Sequence, residues 1–510
     1  MDTKALRQKI LDLAIRGKLV PQDPSDEPAS VLLEKIREEK ARMVKEGNLK
    51  KKDIKNDSII YVGEDNLHYE KFQDGTVKCI ENEIPFEVPD NWAWARLRNI
   101  CMMAAGKAKP ANQIKAAPFE GGFPCFGGNG IRGYVDEYNQ EGTFSIVGRQ
   151  GALCGNINIA SGKFYATEHA VVTTLFSGID FNWNNYILEA LNLNEYSTGA
   201  AQPGLSVANV LNVFVPVPPT QEQERIGEKI SESIKVINII EQEKQNLQTI
   251  IANTKTKILD LAIRGQLVPQ NSDDEPASAL LERIRTEKEY LIEQGKIKRD
   301  KKESIIFKGE DNSYYLNDGQ MTLDINDDLP FDIPDSWDWV RLKDVFIINP
   351  RNKLDDDLEV SFIPMPLIED GYSGKHTAEV RHWKEVKTGF THFAEGDIGV
   401  AKITPCFENR KSTVFENLTN GYGAGTTELH VLRPFGKSIL AQYLLAYIKS
   451  DYFVENGKQT FTGAVGQQRI GKEYVENAYF PLPPIKEQER IVQQISAVFE
   501  YLNMISESLS

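Results

Sequence analysis

The chain has 510 residues, 41% of them hydrophobic and 26% charged, with a net charge of −15; that length suits three or four domains, and the composition excludes a disordered or fibrous chain. No apolar run reaches the roughly 18 residues that span a bilayer, and the amphipathic amino terminus lacks the apolar stretch of a signal peptide, so the expected location is the cytoplasm. Five widely spaced cysteines without a C-x-x-C read as reduced thiols and exclude a disulfide or zinc framework.

The first predicted element is a helix carrying "KILDLAIRGKLVPQ" at 9–22, and the same stretch returns as "KILDLAIRGQLVPQ" at 257–270. The echo continues in order. "DEPASVLLEKIREEK" (26–40) answers "DEPASALLERIRTEK" (274–288), and "GEDN" recurs from Gly63 at Gly309. "IPFEVPDNWAWARL" (84–97) answers "LPFDIPDSWDWVRL" (329–342), and "PVPPTQEQERI" (216–226) answers "PLPPIKEQERI" (481–491). Two copies at this separation mean an internal duplication, because solenoid repeats are about 20 to 50 residues long. The stretches between the copies barely resemble each other. The predicted order is therefore a conserved region 1–90 (a helix plus an insertion), a variable block 91–215, a central conserved region 216–335 (a long helix plus an insertion), a second variable block 336–480, and a closing conserved helix 481–510. The variable blocks are nearly neutral, with 8 basic and 8 acidic residues in 91–216 and 17 basic and 19 acidic in 336–480, so the acidity belongs to the repeated scaffold. Basic runs at 45–55 and 296–302 read as solvated linkers, with phosphate contact as the alternative.

After "PVPP", residues 221–263 contain no proline and one glycine and predict one helix of about 64 Å. A heptad places Ile226, Ile230, Ile237, Ile240, Leu247, Ile251, Ile258 and Leu261 in one seam, interrupted by Ser233, Lys244 and Thr254. So long an apolar stripe requires a partner helix. Alignment of the repeats sets Ser510 opposite Gln245 and Met1 opposite Thr249, so the chain's end and beginning together rebuild the central helix. The expected fold is thus α+β: two globular α+β domains separated by a long antiparallel two-helix coiled coil, in a circular pseudo-two-fold arrangement. Short strand patterns such as "FSIVG", "AVVTTLF" and "LNVFVPV" and helix patterns at "WNNYILEALN" and "SILAQYLLAYIKS" support the mixed class.

A symmetric scaffold carrying two unlike readers fits a bipartite, asymmetric duplex site. Two different protein partners would satisfy the same geometry. The alternation of blocks, with "VPVPPTQEQERI" and "FPLPPIKEQERI" each preceding a long helix, resembles the specificity subunit of type I restriction–modification enzymes. "GGNGIRGYVDEY" and "GRQGALCGNIN" resemble one subtype of its target-recognition domains, and "ITPCFENRK" with "GAGTTELHVLRP" another. The resemblance covers essentially the whole chain, except that the segments 23–90 and 271–335 exceed the minimal family pattern. It implies a non-catalytic subunit that reads one half of a split double-stranded DNA site with each block. It further implies docking of two adenine methyltransferase subunits on the conserved helices, with two restriction subunits completing the enzyme. S-adenosylmethionine, ATP and magnesium would belong to those partners, none to this chain, and no membrane is involved.

Base edges are read by Arg, Lys, Asn, Gln, Ser and Thr, and phosphate contacts fix register. The first block offers Asn129 and Arg132 on a glycine-rich turn, Arg149 and Gln150 in the next, and Ser197, Thr198 and Gln202 before its last helix. The second offers Lys402, Thr404, Asn409, Arg410 and Lys411, then Thr426 and Thr427, then Thr462, Gln467, Gln468 and Arg469. Ordinary turn geometry would explain the same letters. "TFTGAVGQQRI" occupies the place in the second block that "STGAAQPGLS" occupies in the first. Trp92, Trp94, Trp337 and Trp339 read as packing residues, as do Trp383, Phe390 and Phe393. Gly128, Gly130 and Gly133 form a lone G-x-G-x-x-G without the helix of a nucleotide site. No catalytic constellation or metal cluster stands out.

Overall fold

The computed structural model describes residues 2–151, 153–198, 203–299, 304–317, 319–436, 438–464 and 466–509. The chain divides into two units, 1–244 and 245–510, whose boundary falls inside a single helix, Thr220–Ile263. Each unit repeats one plan.

In the first unit the helix Thr3–Ile15 begins with Asp2 capping the Ala5 amide. It runs antiparallel to the first half of the long helix. Arg7 donates to Asn238 at 2.9 Å, while Leu11 and Ala14 share a core with Ile226 and Ile230. A second helix, Ala29–Lys45, packs its Leu32 and Ile36 into the same core. The insertion after it is ordered: a three-stranded antiparallel sheet of Ser58–Val62, His68–Phe72 and Val77–Cys79. Its strands are short and one face is exposed, a pattern too weak to announce itself in the sequence.

The first variable block opens on the strand Ala93–Arg96 and closes on Phe214–Val217, and these two pair antiparallel with Arg96 opposite Phe214 and Ala93 opposite Val217. Pro216 cannot donate a ladder hydrogen bond, and it sits in this two-stranded ribbon where the missing donor is tolerated. Between these strands lies a six-stranded sheet: Cys101–Ala105, Ala170–Leu175, Gln140–Gly148, Ile157–Ala166, Phe123–Gly127 and Gly130–Val135, in that spatial order. The helix Phe181–Ala190 covers it, with Trp183 fully buried.

The second unit has the same frame. A helix Ala277–Glu293 precedes a sheet of Ile305–Lys308, Tyr314–Asn317 and Thr322–Asp324. The ribbon pairs Asp338–Arg341 with Tyr479–Leu482. Within it lie two four-stranded sheets and the helix Ala441–Ile448, whose Tyr443 and Tyr447 are fully buried. The closing helix Ile485–Leu509 lies antiparallel to the second half of the long helix, with Lys255 donating to Asn503 at 2.6 Å and Ile491 sharing a core with Ala262 and Ile263.

The expected seam is buried at Ile226, Ile230, Ile237, Ile251 and Ile258, but Leu247 is exposed. All four scaffold tryptophans are buried, as are Trp383 and Phe393. The five cysteines are unpaired, and among the described residues no cluster of His, Cys, Asp or Glu could hold a metal ion. No helix among them is long and apolar enough to cross a membrane.

Candidate nucleic-acid interface

The repeated letters build one clamp twice. In the first unit Glu222, buried at the start of the long helix, accepts the indole N–H of Trp92 at 2.9 Å and the amide of Gln22 at 2.6 Å. Arg225, one turn on, pairs with the buried carboxylate of Asp26. In the second unit Glu487 accepts from Trp337 at 3.0 Å and from Gln270, and Arg490 pairs with Asp274 at 2.6 Å. The E-Q-E-R motif, the P-D-x-W motif, the V-P-Q motif and the D-E-P motif are thus four sides of one contact. Burial pushes Glu222 and Glu487 above the usual carboxylate range, opposed by the hydrogen bonds they receive. The intervening glutamine faces the variable block. Gln223 accepts the amide of Asp180 at 2.9 Å, and Gln488 accepts the amide of Leu440 at 2.9 Å. Asp180 and Leu440 are the N-cap residues of corresponding helices in the two blocks.

This frame holds three loops of the first block together. Gly128 carries the first loop so close to the second that a Cβ there would sit 3.1 Å from the Gln150 carbonyl. Gly130, at φ +86°, adopts a backbone that favours glycine, and a Cβ would stand 3.1 Å from Asn158 Oδ1. The lone G-x-G-x-x-G is therefore a strand hairpin, not a phosphate loop. Asn156 donates to Asn129 at 2.8 Å across the same two loops. The third loop joins through Gly204, which bridges to Thr198 on one side and Gln150 on the other. Arg149 donates through Nε to the Leu205 carbonyl at 3.2 Å, which leaves its terminal nitrogens for another acceptor. Asn129, Arg132, Gln150 and Thr198 are exposed, and Arg149 and Ser197 half-buried. Gln202 lies outside the described residues.

The second block makes the corresponding junction from different letters. Arg469 bridges to Thr462 and to Ile403, as Gly204 does to Thr198 and Gln150. Thr404 donates its amide to the Gln468 carbonyl at 2.9 Å and accepts from the Gln468 amide at 3.1 Å. Lys402 donates its amide to the Glu428 carbonyl at 3.0 Å, and Thr426 caps the Glu428 amide at 3.1 Å. Arg469 forks onto both oxygens of Glu428 at 2.9 Å, a bidentate pair that fixes its plane and holds the carboxyl below its ordinary range. Thr427, Thr462 and Gln467 are exposed beside this junction.

Three expected residues do not join it. Arg410 occupies a left-handed backbone position and spends its guanidinium on Asp451 and the Lys449 carbonyl. Lys411 donates to the Ile368 carbonyl at 2.9 Å and that of Met365 at 3.3 Å. The Asn409 carbonyl accepts the Gly371 amide at 2.8 Å. The cationic side chains of Arg410 and Lys411 thus brace a turn, while that of Asn409 is exposed. Conversely, Gly204 and Glu428 were not singled out in the sequence. For Gly204 the sequence offers no signal, because the shared T-G-A register sets it opposite Gln468 and not Arg469; for Glu428 no local signal exists.

The model of the type I restriction modification DNA specificity domain matches residues 89–249 and again 334–509. The chain belongs to that family. Each match to the specificity domain contains one variable block, its ribbon and the helix that follows. The chain is 45% identical to the EcoAI type I restriction enzyme specificity subunit of Escherichia coli over 258 residues, which are 50% of this chain and 41% of that protein. It is 44% identical to the EcoEI specificity subunit of the same organism over 247 residues, 48% of this chain and 39% of that protein. The aligned parts thus span about two-fifths of these relatives' length. A specificity subunit from Thermoanaerobacter tengcongensis superposes with a TM-score of 0.41 at 16% identity, covering 83% of this chain and 92% of that one.

Proposed function

We propose that the chain is the non-catalytic specificity subunit of a type I restriction–modification complex and reads a bipartite, asymmetric double-stranded DNA site. Each variable block would contact one half-site through its three-loop junction. The observation that carries this reading is the paired junction. Two blocks of unrelated sequence bring a Thr-containing loop to the same place through Thr198–Gly204–Gln150 and Thr462–Arg469–Ile403, each hung on an identical clamp. A structural protein has no need to preserve a junction while rewriting its letters; a pair of readers does. In the first block Asn129, Arg132, Arg149, Gln150, Ser197, Thr198 and Gln202 would serve the DNA. In the second, Lys402, Thr404, Thr426, Thr427, Thr462, Gln467, Gln468 and Arg469 would do so. The long helix, partnered by the first and last helices of the chain, would set the unread gap. Two methyltransferase subunits and two restriction subunits would supply the chemistry, with S-adenosylmethionine, ATP and magnesium bound to them.

The test is block exchange. With residues 91–215 replaced by the corresponding block of another family member, methylation mapping of a host carrying the complete system should show one half-site altered and the other unchanged. Alteration of both halves, or of neither, would overturn the assignment.

A further inference from the structure

The two junctions are closed by the same five backbone hydrogen bonds. In the first block Thr198 and Gly204 exchange amide and carbonyl at 2.9 and 3.0 Å. The Leu205 amide donates to the Arg149 carbonyl at 2.8 Å, the Gly151 amide to that of Pro203 at 3.1 Å, and the Arg149 amide to that of His169 at 2.9 Å. In the second block Thr462 and Arg469 make the exchange at 3.1 and 2.9 Å. The Ile470 amide donates to the Lys402 carbonyl at 3.0 Å, the Thr404 amide to that of Gln468 at 2.9 Å, and the Lys402 amide to that of Glu428 at 3.0 Å. Bond for bond, Arg469 stands where the first block has Gly204, and Glu428 where it has His169. The second loop is one residue longer between its threonine and the bridging residue.

The junction therefore closes in the first block with no guanidinium and no carboxylate at those two places. The Arg469–Glu428 pair is an addition to the frame. Its side chains are 39% and 26% exposed, and an ion pair so open to solvent adds little stability. Its geometry is nonetheless specified. Nε and Nη2 of Arg469 donate to the two Glu428 oxygens at 2.9 Å each, and Nη1 donates to the Gln467 carbonyl at 2.8 Å. A guanidinium carries five N–H groups in one plane. One on each terminal nitrogen is left, and among the described residues nothing accepts them.

Two donors in a fixed plane match two acceptors on one edge. In the major groove only guanine offers that, through N7 and O6; adenine sets an acceptor beside a donor, thymine has one acceptor, and cytosine has a donor. A phosphate also has paired acceptors, but Glu428 sets a negative charge against the same guanidinium and weakens its pull on an anion. A carboxylate that orients the fork while cancelling its charge suits a neutral, planar base edge. Resting on the reading above that the second block contacts DNA, we infer that Arg469 reads a guanine in that block's half-site and that Glu428 is the residue that positions it.

The complex of the full chain with its methyltransferase subunits is to be bound to duplexes carrying its mapped site. The second half-site is the one that exchange of residues 91–215 leaves unchanged. Each guanine in it, on either strand, is replaced in turn by 7-deazaguanine, which lacks N7 and keeps the base pair. One replacement should weaken binding of the unaltered complex about 10-fold. The Arg469→Ala complex should bind that duplex and the natural one equally, because the contact is already gone. Glu428→Ala should discriminate less between the two while holding unrelated duplex at least as tightly, since a negative charge has been removed; loss of a merely structural brace would not do both. Glu428→Gln, which keeps one acceptor, should fall between. The replacement scan on the unaltered complex needs no variant, so it decides the matter even where a substitution unfolds the loop. A half-site without a G·C pair, indifference to every replacement, or an undiminished further loss in the Arg469→Ala complex would overturn this inference and leave the bipartite reading standing. A complex that prefers no duplex over any other would overturn the functional reading itself.

Discussion

Asp344 offers a quantitative test of the duplicated frame, because its counterpart in the other unit is Asn99. Asn99 accepts the Arg96 amide at 3.1 Å and donates to the Ser58 carbonyl at 3.0 Å, so both ends of its side chain are used. Asp344 accepts the Arg341 amide at 3.4 Å but has nothing to donate when ionised. Burial raises its carboxyl to about 6, against the opposing charges of Lys288 and Lys343. An unfolded aspartate titrates near about 3.9. The folded state therefore binds the proton more tightly. This contribution is fully present below about pH 4 and is lost as pH rises through about 6. A shift of about two pKa units corresponds to about 3 kcal/mol, and partial exposure of the side chain reduces it to about 1 to 1.5 kcal/mol. Asp344→Asn should recover that amount at pH 7.5 and gain little at pH 4.5, since its new amide can reach the Ser304 carbonyl as Asn99 reaches that of Ser58. Urea-dependent hydrogen exchange at residues 338–348 reads this unit alone. A variant less stable at pH 7.5, or one stabilised equally at both pH values, would refute the reasoning.

Lys449 makes the opposite case. It is 3% exposed, donates to the Arg410 carbonyl at 2.8 Å and to that of Gly371, and burial beside Arg410 lowers it to about 7. The unfolded chain holds its proton up to about 10.4, so stability should rise between pH 7 and pH 10, and Lys449→Met should flatten that rise in exchange-detected unfolding of the second unit. Arg225→Ala strands the buried Asp26 carboxylate and should cost about 3 kcal/mol in the first unit. Arg490→Ala should do the same through Asp274 in the second unit, each change leaving the other unit's exchange profile untouched.

The duplication and the mixed fold were legible because the letters repeat and the strand and helix patterns are strong where both faces are covered. The clamp was legible as four motifs but not as one contact. Glu222 meets Trp92 across 130 residues, and no local pattern pairs them. The same limit hid the partners of Arg410 and Lys411, whose acceptors lie about 40 residues away. The matching place of Thr198 and Thr462 was legible because the two stretches share the letters T-G-A in register, whereas the bridge from Thr462 to Arg469 was not. The insertions stayed unread because strands of three to five residues whose exposed face also carries apolar letters, such as Ile59, Tyr61, Ile305 and Phe307, show too little periodicity.

The clamp also explains how the blocks between the repeats can differ so completely. Every side chain that closes it (Trp92, Gln22, Asp26, Glu222 and Arg225, or their counterparts) lies in a repeated stretch, Trp92 and Trp337 standing just inside the edges of their blocks. The scaffold does reach into each block through Gln223 and Gln488, but what those glutamines bind is the backbone amide of a helix N-cap. A backbone amide is present whatever residue stands there, proline excepted. The N-cap is aspartate in one block and leucine in the other, and the bond measures 2.9 Å in both. The scaffold thus tests a block for having a helix in the right place and not for its sequence. Selection on the reading loops can then proceed without disturbing the frame that carries them.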